Sequence, residues 1–272
     1  MPIFSERAIE DFPIGNLPFS EHHKLCGRDD VQFHSQAWVS PEDLAHLSSD
    51  GPTSLLGAQG APLAWLGNYP DLEATHTADN SFLVVHPWDL IRANELYVGS
   101  IEEDVIEGDV HSMAVIGGKV RIGKGTRILP GVVIEGNVVI GANCKIGPNC
   151  YIRGNTSIGD HCHIGNAVEI KNSILLSHTN VGHLSYVGDS ILGERVNFGA
   201  GTVTSNLRHD GKTHRTMVGD VLVNTGRRKF GCIVGDGVHT GINTSIYPGR
   251  KLFPGTSTRP GEIVQRDLHP SP

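Results

Sequence analysis

Two cations, Arg153 and Lys171, stand eighteen residues apart, and a basic run, Arg227, Arg228 and Lys229, follows further on. If the fold repeats at eighteen residues, the first two lie side by side. Stacked like charges repel unless an anion sits between them, and a phosphate accepts several charge-assisted hydrogen bonds at once. Asn197 and Asn206 carry amides, which bond hydroxyls and amines without adding charge. Asn197 precedes a residue expected to point inward, Phe198, and so should face out. His161 and His163 flank Cys162 and should point out together. A metal would need a third ligand beside them, so no metal site is expected.

The elements that must position these groups are set by a repeat. Ile122, Ile128, Ile134, Ile140, Ile146, Ile152, Ile158, Ile164 and Ile170 recur every six residues, with Ile116 before them and Leu176 after. Two residues before each is a small or β-branched side chain, such as Val120, Thr126 or Cys144. Three residues after stand Gly125, Gly131, Asn137, Asn143, Asn149 and Asn155, which tolerate a left-handed backbone. Each hexad is therefore a short strand, with alternate side chains inward, followed by a tight turn. A period of six fits neither an α-helix nor an isolated hairpin. It predicts a parallel β-helix whose coils pair about 4.8 Å apart.

The register breaks after Leu176 and resumes at Tyr186, Leu192, Phe198 and Thr204, a shift of four residues around SHTNVGHLSY. Residues 205–233 read as an irregular polar loop, and a loop projecting from a regular solenoid is usually functional. Hexads return at Val234, Thr240, Ile246 and Leu252, and the Pro-rich tail from Pro254 should end the coil.

The hexads resemble those of the hexapeptide-repeat acyltransferases, which implies a left-handed parallel β-helix with three hexads per coil. The stretches RGNTSIGDHCHIGNAVEIKNS, NVGHLSYVGDS and VNFGAGTVTSNLRHDGK resemble more specifically the acetyltransferase domain of the bacterial and archaeal bifunctional enzymes that make UDP-N-acetylglucosamine. The resemblance covers roughly residues 95–268. It implies acetyl-CoA as cosubstrate, an amino-sugar 1-phosphate as acceptor (glucosamine-1-phosphate first, galactosamine-1-phosphate second) and a homotrimer. It also implies His183 as general base, because a neutral imidazole accepts the proton that an ammonium must lose before attacking a thioester. By the same resemblance Arg153 and Lys171 bind the sugar phosphate, Tyr186, Asn197 and Asn206 contact the sugar, and Lys229 adds a cation from the loop. Ala200, Ile242 and Pro260 mark the acetyl-CoA site.

Residues 1–95 lack hexads and hold all three tryptophans, Trp38, Trp65 and Trp88. SPEDLAHLSS predicts a helix with Ser40 as N-cap and Pro41 at its first position. TSLLGAQGAPLAWLG predicts two strands about a Gly-rich turn, and PWDLIRANELYVG a helix entering the first coil. The expected organisation is a small α/β domain over 1–95, a shortened nucleotidyltransferase remnant, and a β-helix over 96–268. No Gly-rich, Arg-containing nucleotidyltransferase loop occurs in 1–95, so no uridyltransferase activity is expected.

The net charge of −7 argues against a general nucleic-acid or anionic-membrane binder. No run of apolar residues is long enough for a membrane-spanning helix. Five cysteines without a CxxC pair, and no basic-then-apolar leader, point to free thiols in a cytoplasmic, reducing compartment. A non-catalytic β-helix scaffold is the competing expectation, motivated by the short first domain.

Overall fold

A computed structural model describes residues 2–4 and 7–270. The chain divides into two units: Arg7–Ala93, and the part from Asn94 onward together with the first residues of the chain. In the first unit, helix α1 (Phe19–Leu25) precedes a four-stranded sheet of β1 (Val31–Phe33), β2 (Ser54–Leu56), β3 (Pro62–Leu66) and β4 (Thr75–Thr77), in the order β1-β3-β2-β4. The β2–β3 hairpin is the predicted pair about the Gly-rich turn. Helix α2 (Pro41–Leu44) has the predicted cap, the Ser40 hydroxyl accepting from Asp43 N at 3.2 Å. Val31, Ala37, Val39, Leu44, Leu47, Leu55, Leu63 and Ala64 form the core.

Two histidines of α1 are packed into this unit. His22 Nε2 donates to Ile14 O at 2.9 Å, and His23 Nε2 donates to Ala37 O at 2.8 Å while its ring stacks on Phe33. Burial, only partly offset by these bonds, holds both imidazoles below their ordinary range. The unfolded chain therefore binds protons that the folded unit refuses. Stability is fully present above the unfolded value of about 6.5 and falls as pH drops through it. All three tryptophans lie in this unit, so melting followed by Trp fluorescence should show a lower midpoint at pH 5 than at pH 7.5; an unchanged midpoint would contradict the burial of these rings.

Helix α3 (Pro87–Gly99) ends where the solenoid begins. The solenoid is a parallel β-helix built as three ladders. The first runs from Val105–Ile106 to Lys251–Leu252 in eight strands. The second runs from Asp109–Val110 to Asn197–Phe198 in six, and the third from Val115–Ile116 to Ile263–Val264 in eight. The hexad residues from Ile122 to Ile170 fill the interior with Val120, Val132, Val138, Cys144, Cys150, Cys162 and Val168. Cys144 and Cys162 stack eighteen residues apart, Cys162 N donating to Cys144 Sγ at 3.4 Å, and all five cysteines are free thiols.

Three expectations are corrected. First, the shift of four residues is two deletions of one residue. The inward series runs Ile170, Leu175, Val181, Val187, Leu192, Phe198, and Thr204 follows as a buried rung. Leu175 replaces Leu176 as the rung, and Val187 replaces Tyr186, which faces out. Pairing distances shorten accordingly from eighteen residues (Arg153↔Lys171) to seventeen (Tyr186↔Val203). Both deletions fall at the corner between the third and first ladders, where a tight turn absorbs the lost residue without flipping any strand.

Second, Gly125, Gly131, Asn143 and Asn149 adopt the predicted left-handed backbone, but Gly136 and Gly154 do so in place of Asn137 and Asn155. Those two amides serve α3 instead. Asn137 Nδ2 donates to Val98 O, Gly99 O and Ile101 O within 3.1 Å, and Asn155 Nδ2 to Glu95 O at 3.0 Å. They tie the last turn of α3 and the residue that follows it to the solenoid. Third, residues 205–233 hold an antiparallel hairpin, Arg215–Val218 with Val221–Asn224, and the coil continues past Pro254 through the strand Ile263–Val264.

Candidate functional site

On the third ladder the strands Tyr151–Arg153, Glu169–Lys171 and Tyr186–Gly188 lie in register. Ile152, Ile170 and Val187 point inward, so alternation turns two rows outward: Tyr151, Glu169, Tyr186, and Arg153, Lys171, Gly188. Arg153 and Lys171 therefore do stack. They do not share an anion, because each finds a carboxylate of its own chain. Arg153 Nη2 meets Glu169 Oε1 at 2.7 Å, and Lys171 Nζ meets the two oxygens of Asp189 at 3.0 and 2.8 Å.

Asp189, only 2% exposed, is the centre of a network. It also accepts from Asn172 Nδ2 at 3.0 Å and Asn206 Nδ2 at 2.5 Å. Asn206 Nδ2 in turn lies 3.0 Å from the Tyr186 hydroxyl oxygen. Burial and the charges of Asp189 and Glu169 push the Tyr186 hydroxyl up, keeping it protonated and able to donate. Asn172 Nδ2 also bonds Glu95 Oε1 at 2.6 Å, and Glu95, at the end of α3, holds Arg227 through two bonds of 2.5 and 3.1 Å. Arg227 rather than Lys229 thus reaches the network. Lys229 is exposed at the root of the insertion, bridged by its backbone to Leu207.

Gly188 shapes this face. A Cβ there would stand 2.7 Å from Tyr186 Cζ and 2.8 Å from Asn206 Nδ2. Gly188→Ala must therefore displace both side chains, and overpacking of this kind costs about 1–3 kcal/mol. Chemical denaturation should register that loss.

His183 stands at the other border of the third ladder. It ends the strand Asn180–His183, pairs across with Asn166 and is exposed. Its carbonyl accepts from Gly201 N at 3.1 Å, Ala200 O accepts from Asn243 N at 2.8 Å, and Ile242 O accepts from Gly261 N at 2.8 Å. His183, Ala200, Ile242 and Pro260 consequently climb one edge in successive coils. Asn197 lies apart, exposed on the second ladder between Asn180 and a bridge to His239. Lys171, Tyr186 and Asn206 are thus brought together, Arg153 stands beside them, His183 borders their face, and Asn197 and Lys229 stand outside it.

His161 and His163 do not project together. His161 sits in a left-handed corner with its ring stacked on His178, 4.9 Å away, whereas His163 lies in a strand beside Lys145. Burial, then the charges of Lys145 and His183, hold the His163 imidazole below its ordinary range. Among the described residues no cluster of three or more His, Cys, Asp or Glu is arranged for a metal ion, and no helix is long and apolar enough to cross a membrane.

Residues 134–252 match the family described as the GMPPB C-terminal domain. A bifunctional sugar-1-phosphate nucleotidylyltransferase/acetyltransferase of Sulfurisphaera tokodaii is 41% identical over 182 residues, 67% of this chain and 45% of the relative. A bifunctional protein GlmU of Methanococcus maripaludis is 50% identical over 183 residues, 67% of this chain and 44% of the relative. The chain spans less than half the length of these relatives. An LpxA of Acinetobacter baumannii, a solved structure, aligns with 61% of this chain and 68% of its own at 14% identity and a TM-score of 0.37. Glu95, Asn172 and Asp189 also belong to the network that holds Lys171, although the sequence alone did not single them out. Asp189 had a readable signal, an acid at a left-handed corner; Glu95 had none.

Proposed function

We propose that the chain is an N-acetyltransferase that moves the acetyl group of acetyl-CoA to the amine of an amino-sugar 1-phosphate, with glucosamine-1-phosphate as the first candidate. One observation carries this reading: Lys171, Tyr186 and Asn206 converge on one outward face, bordered by His183 and by the edge of Ala200, Ile242 and Pro260. In the proposed reaction His183 takes a proton from the substrate ammonium. The freed amine attacks the thioester carbonyl, and collapse of the tetrahedral adduct expels the CoA thiol. Backbone N–H groups would stabilise the oxyanion, and no covalent enzyme intermediate is required. Lys171 and Arg153 would release their carboxylates in part to meet the phosphate, and Tyr186 and Asn206 would orient the sugar.

The test is thiol release from acetyl-CoA with a panel of amino-sugar phosphates. Release with glucosamine-1-phosphate or galactosamine-1-phosphate supports the reading. That Arg153, Lys171 and Arg227 each already hold a carboxylate favours a second reading, a scaffold without the reaction; silence across the panel would support it. No uridyl transfer is expected. The protein should be a homotrimer, because this face is open on a single chain, and a monomer by light scattering at micromolar concentration would defeat that expectation.

A further inference from the structure

The corner between the third and first ladders carries a column of left-handed residues: Gly136 (φ +88°), Gly154 (+67°), Asn172 (+47°) and Asp189 (+51°). Glycine adopts this backbone freely, and asparagine tolerates it. The backbone thus explains the first three. It does not ask for a carboxylate at the fourth, least of all one hidden from water, where an ion is costly unless paired and hydrogen-bonded.

We propose that Asp189 is a positioning residue that holds the Lys171 ammonium and the Asn206 amide, and through Asn206 the Tyr186 hydroxyl, on the outer face of the third ladder. Its oxygens are taken up by Lys171, Asn172 and Asn206, so it acts on a ligand through its neighbours and not by touch. Lys171 brings a long flexible stem to an outward row, and without a partner that stem samples many rotamers. The two-point contact removes this freedom, and the Lys171 side chain is only 13% exposed. Asp189 also fastens the insertion. Its carbonyl accepts from Gly231 N at 2.9 Å, while Asn206 O accepts from Phe230 N at 3.0 Å. Both roots of the 205–232 segment are thereby tied to the residue that holds Lys171. Glu95 extends the arrangement by joining Asn172 to Arg227. What the positioned groups bind rests on the proposed function; that they are held does not.

Two measurements separate these claims. The first is trace acylation of native protein with an amine-reactive ester, read lysine by lysine by peptide mass spectrometry. Lys171 in the wild type should label about tenfold or more slower than exposed Lys145, and Asp189→Asn should abolish most of that protection. Asparagine keeps the shape and tolerates the left-handed corner, so this variant should fold, with thermal melts as the check. Equal labelling of Lys171 and Lys145 in the wild type overturns the proposal without any variant. Equal protection of Lys171 in wild type and folded Asp189→Asn overturns it too.

The second measurement is steady-state kinetics. Asp189→Asn should raise KM for glucosamine-1-phosphate by about tenfold or more while KM for acetyl-CoA changes less than about twofold, because the groups it releases, Lys171 and Asn206, face the sugar phosphate alone in the proposed function. A merely structural role would instead lower active protein and leave both KM values unchanged, which would count against positioning. If the wild type acetylates no amino-sugar phosphate, the functional reading falls, and the labelling contrast alone decides the role of Asp189.

Discussion

Replacing His183 with alanine is expected to lower kcat by roughly 10²–10⁴-fold, the usual contribution of a positioned general base, while the solenoid stays folded. The fold gives no reason for the ring itself. His183 is exposed at the end of its strand, and its carbonyl, not its side chain, bonds Gly201 and Ser185. Ladder pairing with Asn166 is a backbone matter and survives truncation. In the proposed reaction the proton acceptor is the imidazole of His183, which stands on the same edge as Ala200, Ile242 and Pro260. The variant should therefore lose the imidazole-dependent limb of the pH–rate profile and keep its melting temperature. Near wild-type kcat would mean that solvent or another group takes the proton. Early melting would mean that the ring is structural.

Lys171→Ala should be costly in a different way. It strips the partner from a carboxylate that is 2% exposed, and breaking a buried ion pair from one side typically costs about 3–5 kcal/mol. The expected result is a large fall in denaturant midpoint with little change in m-value. Adding Asp189→Asn should recover a good part of the loss, because the double variant buries no unpaired charge. Stability of the four proteins in this cycle gives the coupling directly. A Lys171→Ala protein as stable as wild type would show that the pair is solvated in solution. Separately, the single variant should bind sugar phosphate more weakly, and acetyl-CoA about as well as before.

Much of this architecture was written in the spacing. Strand side chains alternate, so an aliphatic residue every sixth position declares which side faces in, and Ile122 to Ile170 all do. The resemblance, which implies three hexads per coil, placed Arg153 beside Lys171, as the register shows. The spacing failed where the count changes without a change in composition. Leu175 and Leu176 are equally apolar, and Val187 follows Tyr186, so nothing in residue type said which of each pair takes the rung. The turn asparagines misled for a related reason. Asn137 and Asn155 have the chemistry of a left-handed corner, but Gly136 and Gly154 beside them are better suited to it, which frees the amides to tie α3 to the solenoid. The ion pairs were hidden more deeply. Glu95 and Arg227 are 132 residues apart, and no period relates a helix end to an insertion. Asp189 lies eighteen residues after Lys171, but a deletion of one residue between them puts Gly188 in the column of Arg153 and Lys171 and moves Asp189 to the corner beside it, which no spacing declares.

The seventeen- and eighteen-residue pairings also govern how the chain reaches this state. Nearly every solenoid contact joins a coil to its immediate neighbour, so ordering spreads coil by coil from wherever it starts, and each step closes only a short loop. One step differs. Ile191 pairs with Ile233, 42 residues on, where the preceding step, Ile174 to Ile191, spans 17. Closing the longer loop adds only about 0.8 kcal/mol of chain entropy, but no coil-to-coil growth can cross it until the segment carrying the hairpin has been looped out. The coils up to Thr204 and those from Ile233 onward are thus two nucleation blocks. The hydrogen bonds that join them, Ile191 N to Cys232 O and Gly231 N to Asp189 O, should be among the last to gain protection from amide exchange during refolding, so that the face bearing Lys171 is completed late.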